Sequence, residues 1–155
     1  MLGQEKTYFV LTVFLVLLSA CSTHRYGHIP DSGIDRSTVI NTAKAQLGKI
    51  YKFGGDSPYE GFDCSGLVYY SYQKAGLNLP RTAVGQLKFS QPVSKPHIKQ
   101  GDLVFFRIYR SRVSHVGIYL GANKFIHAPS TGKTVSIASL KNPYWQKRFI
   151  RAGRI

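Results

Sequence analysis

The chain is 155 residues long, room for one compact domain and not for two. Hydrophobic residues make up 43% and aromatics 13%, enough to bury a core, so disorder is not the default reading. Lys and Arg outnumber Asp and Glu 21 to 7, and the resulting charge of +14 favours an anionic partner: nucleic acid, an anionic membrane face or an acidic polymer.

Residues 8–20 form an apolar run preceded by Lys6, with Glu5 beside it. The run is shorter than the ~20 residues that span a bilayer and has the length of a signal-peptide core. It closes on Leu18-Ser19-Ala20-Cys21, which resembles the lipobox of bacterial lipoproteins. That resemblance implies a signal peptide over 1–20, cleavage before Cys21 and lipidation of its thiol. Ser22 after the cysteine implies the periplasmic face of the outer membrane. The alternative is ordinary secretion, with Cys21 a free or bridged thiol. An acylated Cys21 cannot pair with Cys64, so one free thiol would remain in an oxidising compartment, where a thiol without a use is a liability. A secretion signal also argues against nucleic acid as the partner. Residues 21–35, with Gly27, Pro30 and Gly33, read as a tether in which His24 and His28 are solvated.

The folded domain is expected over 36–155, and a monomer is the default. Arg36-Ser37 opens a helix with Val39, Ile40, Ala43 and Leu47 at helical spacing and Gly48 as its stop. Tyr51 to Phe62 is rich in turn residues. A second helix begins at Cys64, with Asp63 as N-cap, Leu67, Val68 and Tyr72 on one face, and Gly76 at its end. A third is expected over Thr82 to Phe89. Beyond Gly101 the runs are short and β-rich: Asp102–Arg107, His115–Leu120 and Lys124–Ala128, with further strands near 134–137 and 149–155. Helices first and an antiparallel sheet after is the pattern of an α+β domain.

Cys64 follows a loop and opens a helix, where unpaired N–H groups and the helix dipole favour an anion. The expectation is a thiol of lowered pKa, with those N–H groups available to a developing oxyanion. The competing reading is a small buried core cysteine. The histidines bear on the choice. If the strands around His115 and His127 form a hairpin, Val116 and Ile118 must share a face with Ile126 and Ala128. That requires partners whose numbers sum to an even value and an odd-length connection near Gly121. The same register puts His115 and His127 together on the opposite face. With a cysteine on a helix packed across the sheet, this makes a nucleophile, a base and an orienting group. A rival use of Cys64, His115 and His127 is a zinc site, though no paired-ligand spacing supports it. His97, before a Lys-Gln-Gly-Asp turn, reads as a surface residue.

Four segments in order, Phe62-Asp63-Cys64-Ser65-Gly66, Gly101-Asp102-Leu103-Val104-Phe105-Phe106, His115-Val116-Gly117-Ile118-Tyr119 and Phe125-Ile126-His127-Ala128, resemble the motif series of the NlpC/P60 cysteine peptidases. The resemblance runs from about residue 36 to the C-terminus. It implies a papain-like α+β fold, N-terminal helices packed on a C-terminal antiparallel sheet. It also implies hydrolysis of amide bonds in peptidoglycan stem peptides, without metal or organic cofactor. Cys64 is then the nucleophile, His115 the general base and His127 the polarising third residue. Tyr51, the backbone N–H of Cys64, Asp63 and Ser65 form the substrate and oxyanion surroundings, with Asp63 assigned to capping and positioning. Five residues separate Gly55 from Gly61 where four are common in the family, which puts the local loop in question. The alternatives are an amidase or acyltransferase on another substrate, and a non-catalytic wall-binding lipoprotein.

Overall fold

A computed structural model describes residues 33–109 and 112–155. The expected signal segment, the expected lipidation site Cys21, and His24 and His28 lie outside the described residues.

Helix α1 (Arg36–Lys44) begins where Asp35 accepts hydrogen bonds from the Ser37 N–H and the Ser37 and Thr38 hydroxyls. Asp35, placed in the tether by composition, is thus the N-cap of the domain's first helix. Val39, Ile40 and Ala43 are buried as their spacing predicts, but the helix ends at Lys44. The turn that follows, closed by Gly48 at φ +82°, leaves Leu47 46% exposed rather than on the buried stripe.

The turn-rich stretch holds a small hairpin, β1 (Asp56–Ser57) against β2 (Gly61–Phe62). The five residues between Gly55 and Gly61 form β1 and the hairpin loop, where Tyr59 is fully exposed. Helix α2 (Cys64–Lys74) buries Leu67, Val68 and Tyr72. Helix α3 (Ala83–Phe89) is capped by the Thr82 hydroxyl on the Gly85 N–H.

Six strands form one antiparallel sheet in the order β3-β8-β4-β5-β6-β7. They are β3 (Gln91–Val93), β4 (Leu103–Phe106), β5 (His115–Gly121), β6 (Lys124–His127), β7 (Ser136–Ser139) and β8 (Phe149–Arg154). A short helix, α4 (Pro143–Gln146), joins the last two strands. Strand β3 is not among the runs expected from the sequence; as an edge strand it pairs on one side only, with β8, which accommodates Pro92. Both faces of the sheet are buried. Leu103, Phe105, Val116, Ile118, Ile126 and Ala128 pack with the helices, while Val104, Phe106, Phe125 and Ala152 pack with Leu140 and Trp145. This is why β4 reads as four consecutive apolar residues without alternation.

The predicted register of β5 and β6 holds: Ile118 faces Ile126 and Tyr119 faces Phe125. The odd-length connection is built from a bulge at Leu120 and a two-residue turn, Ala122-Asn123, with φ of +50° and +59°. Fully buried Asp102 ties the two halves together. It accepts from Arg36 of α1 at 2.9 Å, from Arg154 of β8 at 2.7 and 2.9 Å, and from the Lys99 N–H.

Candidate active site

Asp63, in extended conformation, caps α2 by accepting the Gly66 N–H at 2.7 Å, so Cys64 is the first residue of the helix. Its carboxylate also takes the Gly54 N–H and the Ser65 hydroxyl. The guanidinium of Arg81 holds it in a two-pronged pair at 2.9 and 3.1 Å, and reaches Asp56 and the Gly55 carbonyl as well. Arg81 therefore locks the loop 54–56 onto the start of α2. Gly66 makes that approach possible, since a Cβ there would run into the Gly55 carbonyl. Gln86 adds a further tie, donating to the Ser65 and Pro80 carbonyls. The side chains of Asp63 and Ser65 are thus engaged with each other and with Arg81.

The backbone N–H groups of Val116, Ser65 and Cys64 itself lie near the Cys64 sulfur. These favour a thiolate, as expected of a helix start, but they do not win. Burial, and then the adjacent Asp63 carboxylate, push the thiol up to about 11. The expectation of a lowered pKa is corrected: at neutral pH this is a protonated thiol. Sequence placed the helix end but could not weigh the surrounding desolvation and the capping anion against it.

His115 and His127 meet as the register required, with His115 Nε2 2.9 Å from His127 Nδ1. Trp145 stacks on His115 at 5.4 Å between ring centroids and meets His127 edge-on at 4.9 Å. Burial, then the neighbouring imidazole, hold His115 well below its ordinary value, and burial and the charge of Lys133 take His127 down to about 4. Both rings are neutral at pH 7, so their single hydrogen bond admits two tautomer sets. Only the set in which His115 donates from Nε2 leaves its Nδ1 as a lone-pair base. The facing nitrogens are bonded to each other, and among the described residues no three His, Cys, Asp or Glu side chains converge as metal ligands.

Helix α2 packs on the Val116 face of β5, whereas the imidazoles lie on the Trp145 face. The cysteine therefore meets the strand at its beginning, where the Val116 N–H lies near the sulfur one residue along from His115. No hydrogen bond joins Cys64 to either imidazole among the described residues. Tyr51 lines a cavity of about 600 Å³ with Cys64, Asp63, Ser65, Arg81 and Ser114, and its hydroxyl pKa is raised by burial and by the proximity of Cys64. His97 lies apart and exposed, bonded to Ser94.

Sequence reasoning missed Arg81, Gln86 and Trp145. Arg81 is one of 21 basic residues, and only the scarcity of carboxylates hinted that Asp56 and Asp63 would need partners. Trp145, the sole tryptophan, carried no spacing signal.

A profile described as NlpC/P60 family matches residues 48–154. The chain is 45% identical over 121 residues to murein DD-endopeptidase MepH of Escherichia coli K12, covering 76% of this chain and 45% of that protein. It is 45% identical over 112 residues to gamma-DL-glutamyl hydrolase of Bacillus subtilis, covering 71% of this chain and 27% of that one. The chain thus spans half or less of the length of these relatives. Among solved structures, a Staphylococcus aureus protein titled as similar to lipoprotein, NLP/P60 family, superposes with a TM-score of 0.72 at 40% identity. That match covers 77% of this chain and 41% of the other.

Proposed function

The chain belongs to the NlpC/P60 family, and from that premise we propose that it is a cysteine peptidase cutting amide bonds in peptidoglycan stem peptides, with Cys64 as nucleophile. The observation that carries the reading is the 2.9 Å bond between two buried neutral imidazoles at the strand end where the cysteine sulfur docks. The relatives whose names specify murein endopeptidase activity support the substrate class.

Because thiol and imidazoles rest neutral, the proton moves during attack and not before it. His115 Nδ1 takes the thiol proton as sulfur adds to the amide carbonyl carbon, and His127, accepting from His115 Nε2, steadies the imidazolium that forms. The N–H groups that faced the sulfur, that of Cys64 first, are then available to the oxyanion, with the Tyr51 hydroxyl nearby. His115 returns the proton to the leaving amine as the C–N bond breaks. Water, deprotonated by the same ring, hydrolyses the thioester and restores the thiol. No step calls for a metal or organic cofactor. Arg81 acts through Asp63 and the loop 54–56, as a positioning residue.

Incubating purified sacculi with the chain and with its Cys64→Ala variant, and weighing the released fragments, tests this reading and identifies the bond from the masses. Release by the wild type alone is expected. Equal release by the variant refutes Cys64 as nucleophile, and no release by either protein when both are folded moves the weight to another amide or to wall binding. Lipidation of Cys21 and anchoring as a monomer at the outer membrane's periplasmic face belong to the same proposal, resting on Leu18-Ser19-Ala20-Cys21. Metabolic labelling with a fatty acid should mark the wild type and spare Cys21→Ser.

A further inference from the structure

Beyond the histidine pair lies a second cavity, about 320 Å³, sharing no lining residue with the one that holds Cys64. His127, whose Nδ1 is turned to His115, lines it. Tyr109, Tyr144 and Trp145 supply aromatic walls, and Ser130 and Lys133 supply hydrogen-bond donors. No Asp or Glu is among its lining residues. Lys133 enters no ion pair among the described residues, and its charge reaches His127. The Arg148 guanidinium lies 3.7 Å over the ring of Tyr144, one of the lining residues. A recess that combines a free ammonium and hydroxyl donors with low-polarity walls and no acid is suited to a carboxylate on a short aliphatic chain.

The recess also lies within reach of the reaction. The Lys133 carbonyl accepts the Tyr51 N–H at 2.8 Å, and Tyr51 lines the cysteine cavity. The two cavities thus flank one strip of chain.

We propose that this second cavity is a carboxylate-binding subsite, in which Lys133 seats a free carboxylate of the peptide substrate on the far side of the histidine pair from Cys64. The nature of the ligand rests on the peptidase reading above; the charge preference of the cavity does not. Bound there, a carboxylate is also placed to accept from His127 Nε2, in the tautomer set that leaves His115 basic.

Trp145 is the only tryptophan and lines this cavity, so its fluorescence responds to a ligand seated there. The test uses the full chain carrying Cys64→Ala, which binds without turnover, titrated with a stem tetrapeptide whose carboxylates are free and with its fully amidated counterpart. The free acid should shift Trp145 emission and bind at least ~10-fold tighter than the amide, the size of one good ionic contact. Adding Lys133→Gln should bring that ratio near one while leaving binding of the amide unchanged. A ratio that survives Lys133→Gln, or peptide binding that leaves Trp145 emission unmoved, overturns the subsite. Sacculus digestion by the wild type alongside either of those results would leave the peptidase reading standing. Lys133-dependent binding without digestion would refute that reading and keep the subsite.

Discussion

A neutral resting thiol makes a prediction that separates this site from a preformed thiolate–imidazolium pair. With the Cys64 thiol at about 11 instead of the ordinary 9.0, the thiolate fraction at pH 7 is on the order of one in ten thousand, about a hundredfold below that of an unperturbed cysteine. Alkylation by iodoacetamide, followed from about pH 6 to pH 10 by mass spectrometry of the Cys64 peptide, should therefore rise about tenfold per pH unit without levelling. Mapping the peptide keeps Cys21 out of the count. Burial is the larger cause and the Asp63 carboxylate the second, so Asp63→Asn should raise the rate at pH 7 by no more than about tenfold, the size of one pKa unit. A plateau below about pH 8 in the wild type would mean that the thiolate is already formed, and would refute general-base attack from a neutral pair.

Three further perturbations have distinct outcomes. Arg81→Ala leaves Asp63 and Asp56 without their counter-ion. With side chains 32% and 14% exposed for Arg81 and Asp63, solvent screening brings the loss to about 2 kcal/mol in urea unfolding. Sacculus cleavage should fall with it, and Arg81→Lys, lacking the planar fork, should restore only part of either. Gly66→Ala forces a methyl into the Gly55 carbonyl and should cost about 3 kcal/mol by the same measurement, together with a loss of activity that Gly33→Ala, whose added methyl meets nothing, does not share. Acid should unfold the domain through its imidazoles. His127 titrates near 4 when folded and near 6.5 when unfolded, so below pH 6.5 the unfolded chain binds the extra proton. Stability is complete above pH 6.5 and falls by roughly 3 kcal/mol as the pH drops to about 4. Melting temperatures across that range should show the fall, and a smaller one in His127→Gln; an unchanged slope in that variant counts against the buried neutral ring.

Much of this site is legible in the chain because it is written in local terms. An N-cap needs only Asp63 before a helical stripe, and the hairpin register needs only that Val116 and Ile118 share a face with Ile126 and Ala128. Once the register is set, the two histidines must be neighbours, since side chains alternate with a period of two. The odd-length connection likewise followed from parity, although its construction from a bulge and a left-handed pair was not visible. Leu47 failed for a local reason too: helical spacing continued past the point where the chain turns, and nothing in the spacing marks where hydrogen bonding stops.

The order of residues along the chain was enough to show which could act: a cysteine at a helix start, two histidines on one strand face, and a basic α+β chain resembling one family. Tertiary structure alone decided their ionisation and company. Burial and Asp63 keep the thiol protonated against the pull of the helix end, burial keeps the imidazoles neutral beside Trp145, and Arg81 arrives from 18 positions away to hold Asp63 in place. Desolvation and long-range charge are sums over everything nearby in space. A residue's neighbours along the chain carry little of that sum, so it becomes readable only when the fold brings the distant elements together.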